Sequence, residues 1–267
     1  MHPIAFKILG LNIYSYGLFM AIGILTSVWI ASTIGKRENL ATDTVYDFCF
    51  IIVIFALLGS RILYVIVNLK YFINNPVEVL FLNRGGFIYY GGFIGGFAAA
   101  IFYLKKNKLP LWGMGDIICC VLPLGQAFGR LGCFLNGCCF GKPGLYHWCV
   151  QFRSGLPFEH YQEFVPIHPV QLYNAALNFI IFLVLYFIFE DKKFNGLIIV
   201  LYGVLYSFSR FITEFYRGDV PLLGSFTLAQ WTSIIIFILS IFLYQHLSQK
   251  YQKHLEISEP HISKEPK

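Results

Sequence analysis

Residues 196 to 217 read GLIIVLYGVLYSFSRFITEFYR, an apolar stretch that is long enough to cross a membrane as a helix. Three charged residues lie towards its end: Arg210, Glu214 and Arg217. Spacings of four and three residues place these side chains on one helix face. A charged group at the centre of a membrane helix costs about 2.5–3.5 kcal/mol on insertion scales, so such groups usually face a partner, a cavity or a substrate. The stretch therefore predicts both a membrane-spanning helix and a polar site.

The composition of the whole chain is that of a polytopic membrane protein. Of the 267 residues, 57% are hydrophobic and only 13% are charged, which excludes a soluble globular domain. We predict an all-α fold of about seven transmembrane helices in a single transmembrane domain, residues 1–246, followed by a flexible cytoplasmic tail, residues 247–267. The predicted spans are residues 13–34, 45–67, 85–104, 114–133, 170–189, 196–216 and 226–246.

The distribution of Lys and Arg predicts the orientation in the membrane. Most of the basic residues fall on one side of the predicted spans, and an excess of basic residues marks the cytoplasmic side. The N-terminus is therefore expected outside and the C-terminus in the cytoplasm. The longer outer loops, about 68–84 and 134–169, are expected to form a small extracytoplasmic head. The net charge of +6 reflects this bias and an attraction to membrane lipids, and it does not indicate nucleic acid as a partner.

Two further arginines lie within predicted spans. Arg61 lies in LLGSRILY and Arg130 in GRLGCFLNG, so three intramembrane arginines accompany one obvious carboxylate, Glu214. This surplus of positive charge favours an anion inside the bilayer, and the planar fork of a guanidinium suits phosphate oxygens. Structural roles stay open for all three arginines. Arg130 could extend to the interface, Glu214 could simply neutralise Arg210, and Arg61 could join helices through backbone carbonyls.

Polar residues also flank the predicted spans. Tyr90 opens the third span, Asn136 and Gly137 follow the fourth, and His168 precedes the fifth. A proline follows His168 and suits the first turn of a helix, so this histidine is either a helix-start residue or a group that lines an outer cavity. On the opposite side of the membrane, Asp116 is expected to cap or favour a helix N-terminus.

The cysteines allow several interpretations. The spacing C-x₄-C-C of Cys133, Cys138 and Cys139 is an imperfect match to zinc sites, and the outer face would permit a disulfide between this group and Cys149. A disulfide, free thiols and a metal therefore stay open for these four. For the candidate site itself we expect no cofactor and no metal, since the chain lacks a phosphate-binding glycine loop, an H-E-x-x-H motif and a dinucleotide fingerprint. The other cysteines are expected to pack within spans: Cys49, Cys119 and Cys120.

Several motifs, in this order along the chain, resemble elements of the prolipoprotein diacylglyceryl transferase family of bacterial membrane enzymes. YSYGL at residues 14–18 is similar to the family's Y-G-L segment, and GRLGCFLNG at 129–137 to its signature. HPVQLY at 168–173 and RFITEFYR at 210–217 are similar to two further elements, and Gln230 also matches. The resemblance covers most of the chain.

The resemblance implies a transferase of the bacterial inner, cytoplasmic membrane. Its substrates would be phosphatidylglycerol and prolipoproteins whose signal peptides carry a lipobox cysteine. The diacylglyceryl group would pass to the thiol of that cysteine, a thioether would form, and glycerol phosphate would leave. This would be the first step of bacterial lipoprotein maturation.

The resemblance also implies site residues. The candidate catalytic residues are Arg130, Arg210, Glu214, Tyr90 and His168. The candidate residues for phosphatidylglycerol are Arg130, Arg210, Tyr16, Asn136, Gly137 and Arg217.

The chain departs from the family pattern at two places. The family's H-G-G is Tyr90-Gly91-Gly92 here, and Cys133 and Cys138 stand where other members have Asn and Glu. The general base is therefore open among Tyr90, Glu214 and His168, or the substrate thiol ionises in the positive field with little help. A divergent paralogue also stays open. The alternative function is a phospholipid or lipid-anion transporter that uses the buried arginines as a headgroup site.

Overall fold

The structure is a computed structural model that describes residues 2–8, 11–81, 86–151, 165–217 and 224–258. Two short antiparallel strands, β1 (Ile4–Ile8) and β2 (Leu11–Tyr14), lead directly into the first helix. The helices are α1 (Ser15–Arg37), α2 (Thr42–Val67), α3 (Leu69–Asn74), α4 (Tyr89–Lys106), α5 (Leu111–Asn136), α6 (Val170–Phe189), α7 (Leu197–Glu214) and α8 (Leu228–Ser258), with a 3₁₀ turn at Pro76–Leu80 between α3 and α4.

The helices confirm a polytopic membrane protein. Each of the seven predicted spans overlaps one helix. Within the described part of the chain, six helices are long and apolar enough to cross a membrane: α1, α2, α5, α6, α7 and, from Leu228 to Lys253, α8. Helix α4, which corresponds to the third predicted span, is not one of the six, so the number seven and the orientation of the termini stay predictions.

The structure differs from the sequence prediction at both ends. The β1–β2 hairpin is not among the predicted elements, and the first predicted span begins at residue 13, within β2. Helix α8 continues to Ser258, beyond the predicted tail boundary at 247. Residues 247–258 contain Gln, Lys, Leu and Glu, which are strong helix formers, and Leu247 is buried while the Tyr251 ring lies 5.8 Å from that of Phe194, so the helix continues there. Residues 259–267 of the predicted tail lie outside the described residues, as do 152–164 of the predicted outer head.

The chain divides into two compact units by its internal packing. One comprises Met1–Trp29 and Gly115–Lys267, and the other comprises Ile30–Met114. The division falls within α1 and within α5. A single transmembrane domain over residues 1–246 stays a prediction.

In the unit Ile30–Met114, α2 and α4 pack through glycine. A methyl group added to Gly59 would clash with the backbone carbonyl of Gly91, and one added to Gly95 would clash with the carbonyl of Phe55. Small residues permit this close approach of two membrane helices. The glycines of the third predicted span therefore serve helix packing.

Arg61 belongs to this unit, and its guanidinium binds backbone carbonyls. Nε donates to Val79 O at 3.1 Å, Nη1 to Gly86 O at 3.1 Å and Nη2 to Glu78 O at 2.7 Å. The guanidinium also lies 5.6 Å from the centre of the Tyr64 ring. Of the two roles that the sequence left open for Arg61, the structure supports the joining of chain segments through carbonyls.

In the other unit, α7 contacts both α6 and α8. Asp116 of α5 caps the beginning of α7, because its Oδ2 accepts from Gly196 N at 2.8 Å and its Oδ1 from Ile199 N at 3.1 Å. This confirms the predicted capping role, although the capped helix is not the one that carries Asp116. Lys192 Nζ lies 3.6 Å from the same carboxylate. The cap fixes the end of α7 opposite to Arg210.

Candidate active site

Arg210 and Glu214 form an ion pair in the last turns of α7. Arg210 Nη2 lies 2.9 Å from Glu214 Oε2, and the side chains are 14% and 0% exposed, respectively. Oε2 forms no hydrogen bond with a described residue, so its attraction to Arg210 is that of an ion pair. The other carboxylate oxygen, Oε1, accepts from Thr227 Oγ1 at 3.0 Å. Both oxygens of Glu214 therefore have a partner.

Thr227 itself is fixed by a capping box at the beginning of α8. Thr227 N donates to Gln230 Oε1 at 3.0 Å, and Gln230 N donates to Thr227 Oγ1 at 3.3 Å. This reciprocal pair is the T-x-x-Q form of the motif. The hydroxyl accepts from Gln230 and donates to Glu214. The beginning of α8 thus fixes the Glu214 carboxylate, and this carboxylate positions Arg210.

One end of the Arg210 guanidinium has no hydrogen-bond partner in the part of the chain that the structure describes. Nη1 is buried, and no acceptor within the described residues forms a hydrogen bond with it. Among the described residues, the charges that act on Arg210 include those of two arginines, Arg130 and Arg217, and that of one carboxylate, Glu214. A buried donor without an acceptor is costly, and a net positive pocket favours an anion. The sequence-based interpretation in which Glu214 simply neutralises Arg210 does not account for Nη1.

The signature segment ends α5 in a Schellman motif. Gly137 N donates to Phe134 O at 3.2 Å and Cys138 N to Cys133 O at 3.1 Å, the two bonds that define this cap. Gly137 has φ 79°, a left-handed conformation that favours glycine. The N-G pair at 136–137 is thus explained by helix termination. Gly137 is buried, and Asn136 is exposed.

Three contacts tie the chain after this motif to α6 and α7. Gln171 Nε2 donates to Cys138 O at 2.7 Å. Gly141 N donates to His168 O at 3.0 Å, and Lys142 N donates to Tyr216 O at 2.8 Å. The signature segment, the His168 segment and the end of α7 are therefore neighbours in space, as their resemblance to family motifs leads one to expect.

Gln171 is a second group with an unused polar atom. It is 0% exposed, and its Oε1 has no hydrogen-bond partner among the described residues. Its Nε2 is fixed on Cys138 O, so Oε1 is held in one orientation. The sequence placed Gln171 in a motif but did not select it as a site residue, because only the structure shows the unsatisfied acceptor.

His168 lies in an aromatic cluster. It is 6% exposed, and its Nδ1 lies 3.1 Å from Tyr173 Oη. Its ring centre is 5.3 Å from that of Tyr216 and 5.7 Å from that of Tyr146. A methyl group added to Gly144 would lie 2.5 Å from Nε2, so the loop covers this second nitrogen closely. The environment supports a positioning role for His168.

Tyr16 and Tyr90 lie in different units. Tyr16, near the beginning of α1, is 39% exposed, and the backbone at Gly132 of α5 packs closely against it. Arg130 and the cysteines Cys133, Cys138 and Cys139 act electrostatically on its hydroxyl. Tyr90, at the beginning of α4, is 63% exposed and belongs to the unit Ile30–Met114. The structure thus places Tyr16 with Arg130, whereas a role for Tyr90 in the same site stays a prediction.

The outer cysteines are separated into a cluster and a single residue. The Sγ atoms of Cys133, Cys138 and Cys139 all lie within 4.8 Å of one another. Cys149 instead lies close to Gly144. All are free cysteines, so the disulfide to Cys149 that the sequence left open does not form here. Hydrogen bonds from Cys133 and Cys138 lower the pKa of the Cys139 thiol, and the charges of Arg130 and Arg217 add to this effect.

Comparisons with known proteins agree with these motifs. The family model for prolipoprotein diacylglyceryl transferase matches residues 3–246. The chain is 34% identical to the phosphatidylglycerol–prolipoprotein diacylglyceryl transferase of Clostridium tetani, over 91% of this chain and 97% of the relative. It is 33% identical to the protein of the same name from Clostridioides difficile, over 96% and 99% of the two chains. For the Finegoldia magna protein of that name, the identity is 32% over 96% and 98%. The chain therefore belongs to the prolipoprotein diacylglyceryl transferase family.

Proposed function

We propose that this protein transfers the diacylglyceryl group of phosphatidylglycerol to the lipobox cysteine of prolipoproteins in the bacterial inner membrane. A bond forms between the cysteine sulfur and the glycerol carbon that carries the phosphate. The bond between that carbon and the phosphate oxygen breaks, and glycerol phosphate leaves. The thiol proton is lost before or during the attack, because the thiolate is the nucleophile. The relatives bear the name of this transferase, and none of the reported names supports the transporter alternative.

The observation that carries this proposal is that Arg210 Nη1 is buried and has no hydrogen-bond partner among the described residues. The phosphodiester of phosphatidylglycerol bears one negative charge, and the departing phosphate monoester gains a second as the bond breaks. A fixed cation near that oxygen stabilises the transition state more than the bound substrate, which is the condition for catalysis. Arg210 supplies such a cation without reorganisation, because Glu214 and Thr227 already hold it.

Arg130 and Arg217 extend the positive site. Both act electrostatically on Arg210, and mutual repulsion between these cations is relieved when an anion binds. In the proposed complex, Arg210 and Arg130 contact the phosphate. Tyr16, Asn136, Gly137 and Arg217 line the headgroup.

Gln171 adds a group for the glycerol end of the lipid. Its buried Oε1 is an acceptor, and the glycerol headgroup of phosphatidylglycerol carries two hydroxyl donors. A headgroup without hydroxyls would leave Oε1 unpaired, and a site with buried polar groups rejects an analogue that cannot pair them. This supports phosphatidylglycerol over lipids with a different headgroup.

The environments also rank the three candidates for the general base. Both oxygens of Glu214 are engaged, which supports an orienting role, and both ring nitrogens of His168 are covered by neighbours. Tyr90 is the candidate whose side chain is exposed, so it ranks first among the three as the general base.

We propose seven spans, with the N-terminus outside and Tyr90, Arg130 and Arg210 towards the outer leaflet.

The test uses the purified protein in vesicles of phosphatidylglycerol or phosphatidylethanolamine, with a lipobox peptide that carries Cys or Ser. The proposal predicts a diacylglyceryl adduct only with phosphatidylglycerol and the Cys peptide. Arg210→Ala should lose this activity, whereas Lys105→Ala, a matched loss of an exposed charge at the end of α4, should retain it. Equal loss in both variants, or an adduct on the Ser peptide, would contradict the proposal.

A further inference from the structure

The cluster of Cys133, Cys138 and Cys139 has no role in the function proposed above. Its three sulfur atoms lie within 4.8 Å of one another, and all three are free thiols. Cys133 and Cys138 are partly exposed, and Cys139 is exposed. Packing alone does not require a cluster of this kind, since apolar residues of similar size would fill the same space without weakly polar groups.

The backbone holds the three sulfurs together. The Schellman motif returns the chain after Gly137, so Cys138 comes back to the last turn that carries Cys133. Gln171 fixes the carbonyl of Cys138 from α6. Cys139 has φ 62°, a left-handed conformation that residues with a side chain rarely adopt. Such a conformation persists only where its surroundings hold it, so the Cα–Cβ direction of Cys139 is fixed.

The arrangement suits a zinc ion. Zinc binds thiolates tetrahedrally at about 2.3 Å, which sets the sulfurs of such a site about 3.8 Å apart. Sulfurs that already lie within 4.8 Å reach this spacing by small side-chain rotations. Three thiolates and one Zn²⁺ carry a net charge of −1, and the charges of Arg130 and Arg217 act on Cys139. These two positive charges offset part of the negative charge that the bound state carries at Cys139.

We propose that Cys133, Cys138 and Cys139 bind a zinc ion through three thiolates, and that its fourth position takes the cysteine thiol of the prolipoprotein substrate. The second half of this inference rests on the proposed function. Zinc sites with three protein ligands leave a fourth position for water or substrate. Cys139 is exposed, so a thiol from outside the protein can reach an ion that this cysteine binds. The substrate thiol binds as a thiolate and releases one proton to solvent, which supplies the nucleophile that the transfer needs.

The test first measures metal binding without any lipid. The full-length protein is purified with a reductant, loaded with Zn²⁺ or Co²⁺ and freed of excess metal, and the metal is counted by mass spectrometry. We expect one tightly bound ion per chain and a thiolate-to-cobalt absorption band. Cys149→Ser, a matched change in the same loop region outside the cluster, should keep both. The triple variant Cys133→Ser/Cys138→Ser/Cys139→Ser should lose both, and the single variant Cys139→Ser should bind at least tenfold more weakly while it elutes as the parent protein does.

The second measurement tests the fourth position. A lipobox peptide with Cys should shift the visible bands of the cobalt protein, and the Ser peptide should not. Equal metal content in the parent protein and the triple variant, or a disulfide among these cysteines under the purification conditions, would overturn the zinc site. If cobalt binds but the Cys peptide does not shift its visible bands, the substrate thiol does not take the fourth position. Because neither measurement uses phosphatidylglycerol, metal binding without diacylglyceryl transfer would count against the proposed function alone.

Discussion

Replacement of Arg210 by Ala has two separable consequences. It removes the cation that is proposed to meet the phosphate, and the loss of one such preorganised group typically lowers turnover about 10²- to 10³-fold, or about 2.7–4 kcal/mol. It also leaves the Glu214 carboxylate, whose side chain is 0% exposed, without its counter-charge. Breaking a buried ion pair from one side typically destabilises a protein by about 3–5 kcal/mol. Arg210→Ala alone therefore mixes a catalytic loss with a loss of stability.

The double variant Arg210→Ala/Glu214→Gln separates these two effects. The amide carries no charge, and its oxygen still accepts from Thr227, so most of the thermal stability should return. Turnover should stay at the level of Arg210→Ala, because the cation is still absent. Arg210→Lys should keep part of the activity, since an ammonium supplies charge without the planar fork.

The measurements are the melting temperature in detergent and the rate of transfer to a lipobox peptide. Glu214→Gln alone serves as the control for the carboxylate. Recovery of activity together with stability in the double variant would contradict a catalytic role for Arg210, because Arg210 would then act only through folding. Turnover of Arg210→Ala within threefold of the parent protein would refute it as well.

Three further predictions concern the cap of α8, the thiol of Cys139 and the orientation in the membrane. Thr227→Val, which removes the capping hydroxyl of α8 and the contact with Glu214, should lower the unfolding free energy by about 1–2 kcal/mol in denaturant titrations; an unchanged midpoint would contradict the cap. The lowered pKa of Cys139 keeps its thiolate populated as the pH falls, so its alkylation in metal-free protein should change little from about pH 8 to about pH 6, where an ordinary thiol slows roughly tenfold per unit; a tenfold slope at Cys139 would contradict the shift. In intact cells, and in a background in which the native cysteines are replaced by Ser, a membrane-impermeant reagent should label Leu145→Cys, where Leu145 is 99% exposed, but not Lys106→Cys, and the reverse pattern would invert the proposed topology.

The seven long helices could be predicted because each rests on a local signal, whereas α3 lies in a stretch that was predicted as an outer loop. Apolar length locates the membrane helices, and α7 begins and ends within a few residues of its predicted bounds of 196 and 216. Helix α4 was predicted as a span of equal standing, yet its glycines and terminal lysines give it a weaker apolar character than the other six. Those glycines instead allow α4 to approach α2 closely. Composition alone does not distinguish these two uses of a glycine-rich segment.

The candidate site could be predicted only as a set of residue types. Spacing placed Arg210, Glu214 and Arg217 on one helix face, but it did not show whether Glu214 satisfies Arg210 completely. That answer depends on Thr227, which its T-x-x-Q capping pattern fixes at the beginning of α8 and whose hydroxyl meets Glu214 only in the folded chain. The sequence shows that Arg61 is a charged residue within an apolar span, which suggests a third arginine of the anion site. It does not show that the backbone carbonyls of the turn at Pro76–Leu80 accept from this guanidinium. The three-cysteine cluster depends on the Schellman motif, which the left-handed Gly137 makes possible.

The most direct test of diacylglyceryl transfer to the lipobox cysteine is the stoichiometry of the two products. Purified protein, phosphatidylglycerol and a lipobox peptide are incubated, and mass spectrometry follows the peptide while an enzymatic assay counts the glycerol phosphate that is released. Our account predicts one diacylglyceryl thioether on the cysteine for each glycerol phosphate. An adduct with the mass of a single fatty acid, accompanied by a lysophospholipid, or lipid movement across the bilayer without any adduct, would contradict it.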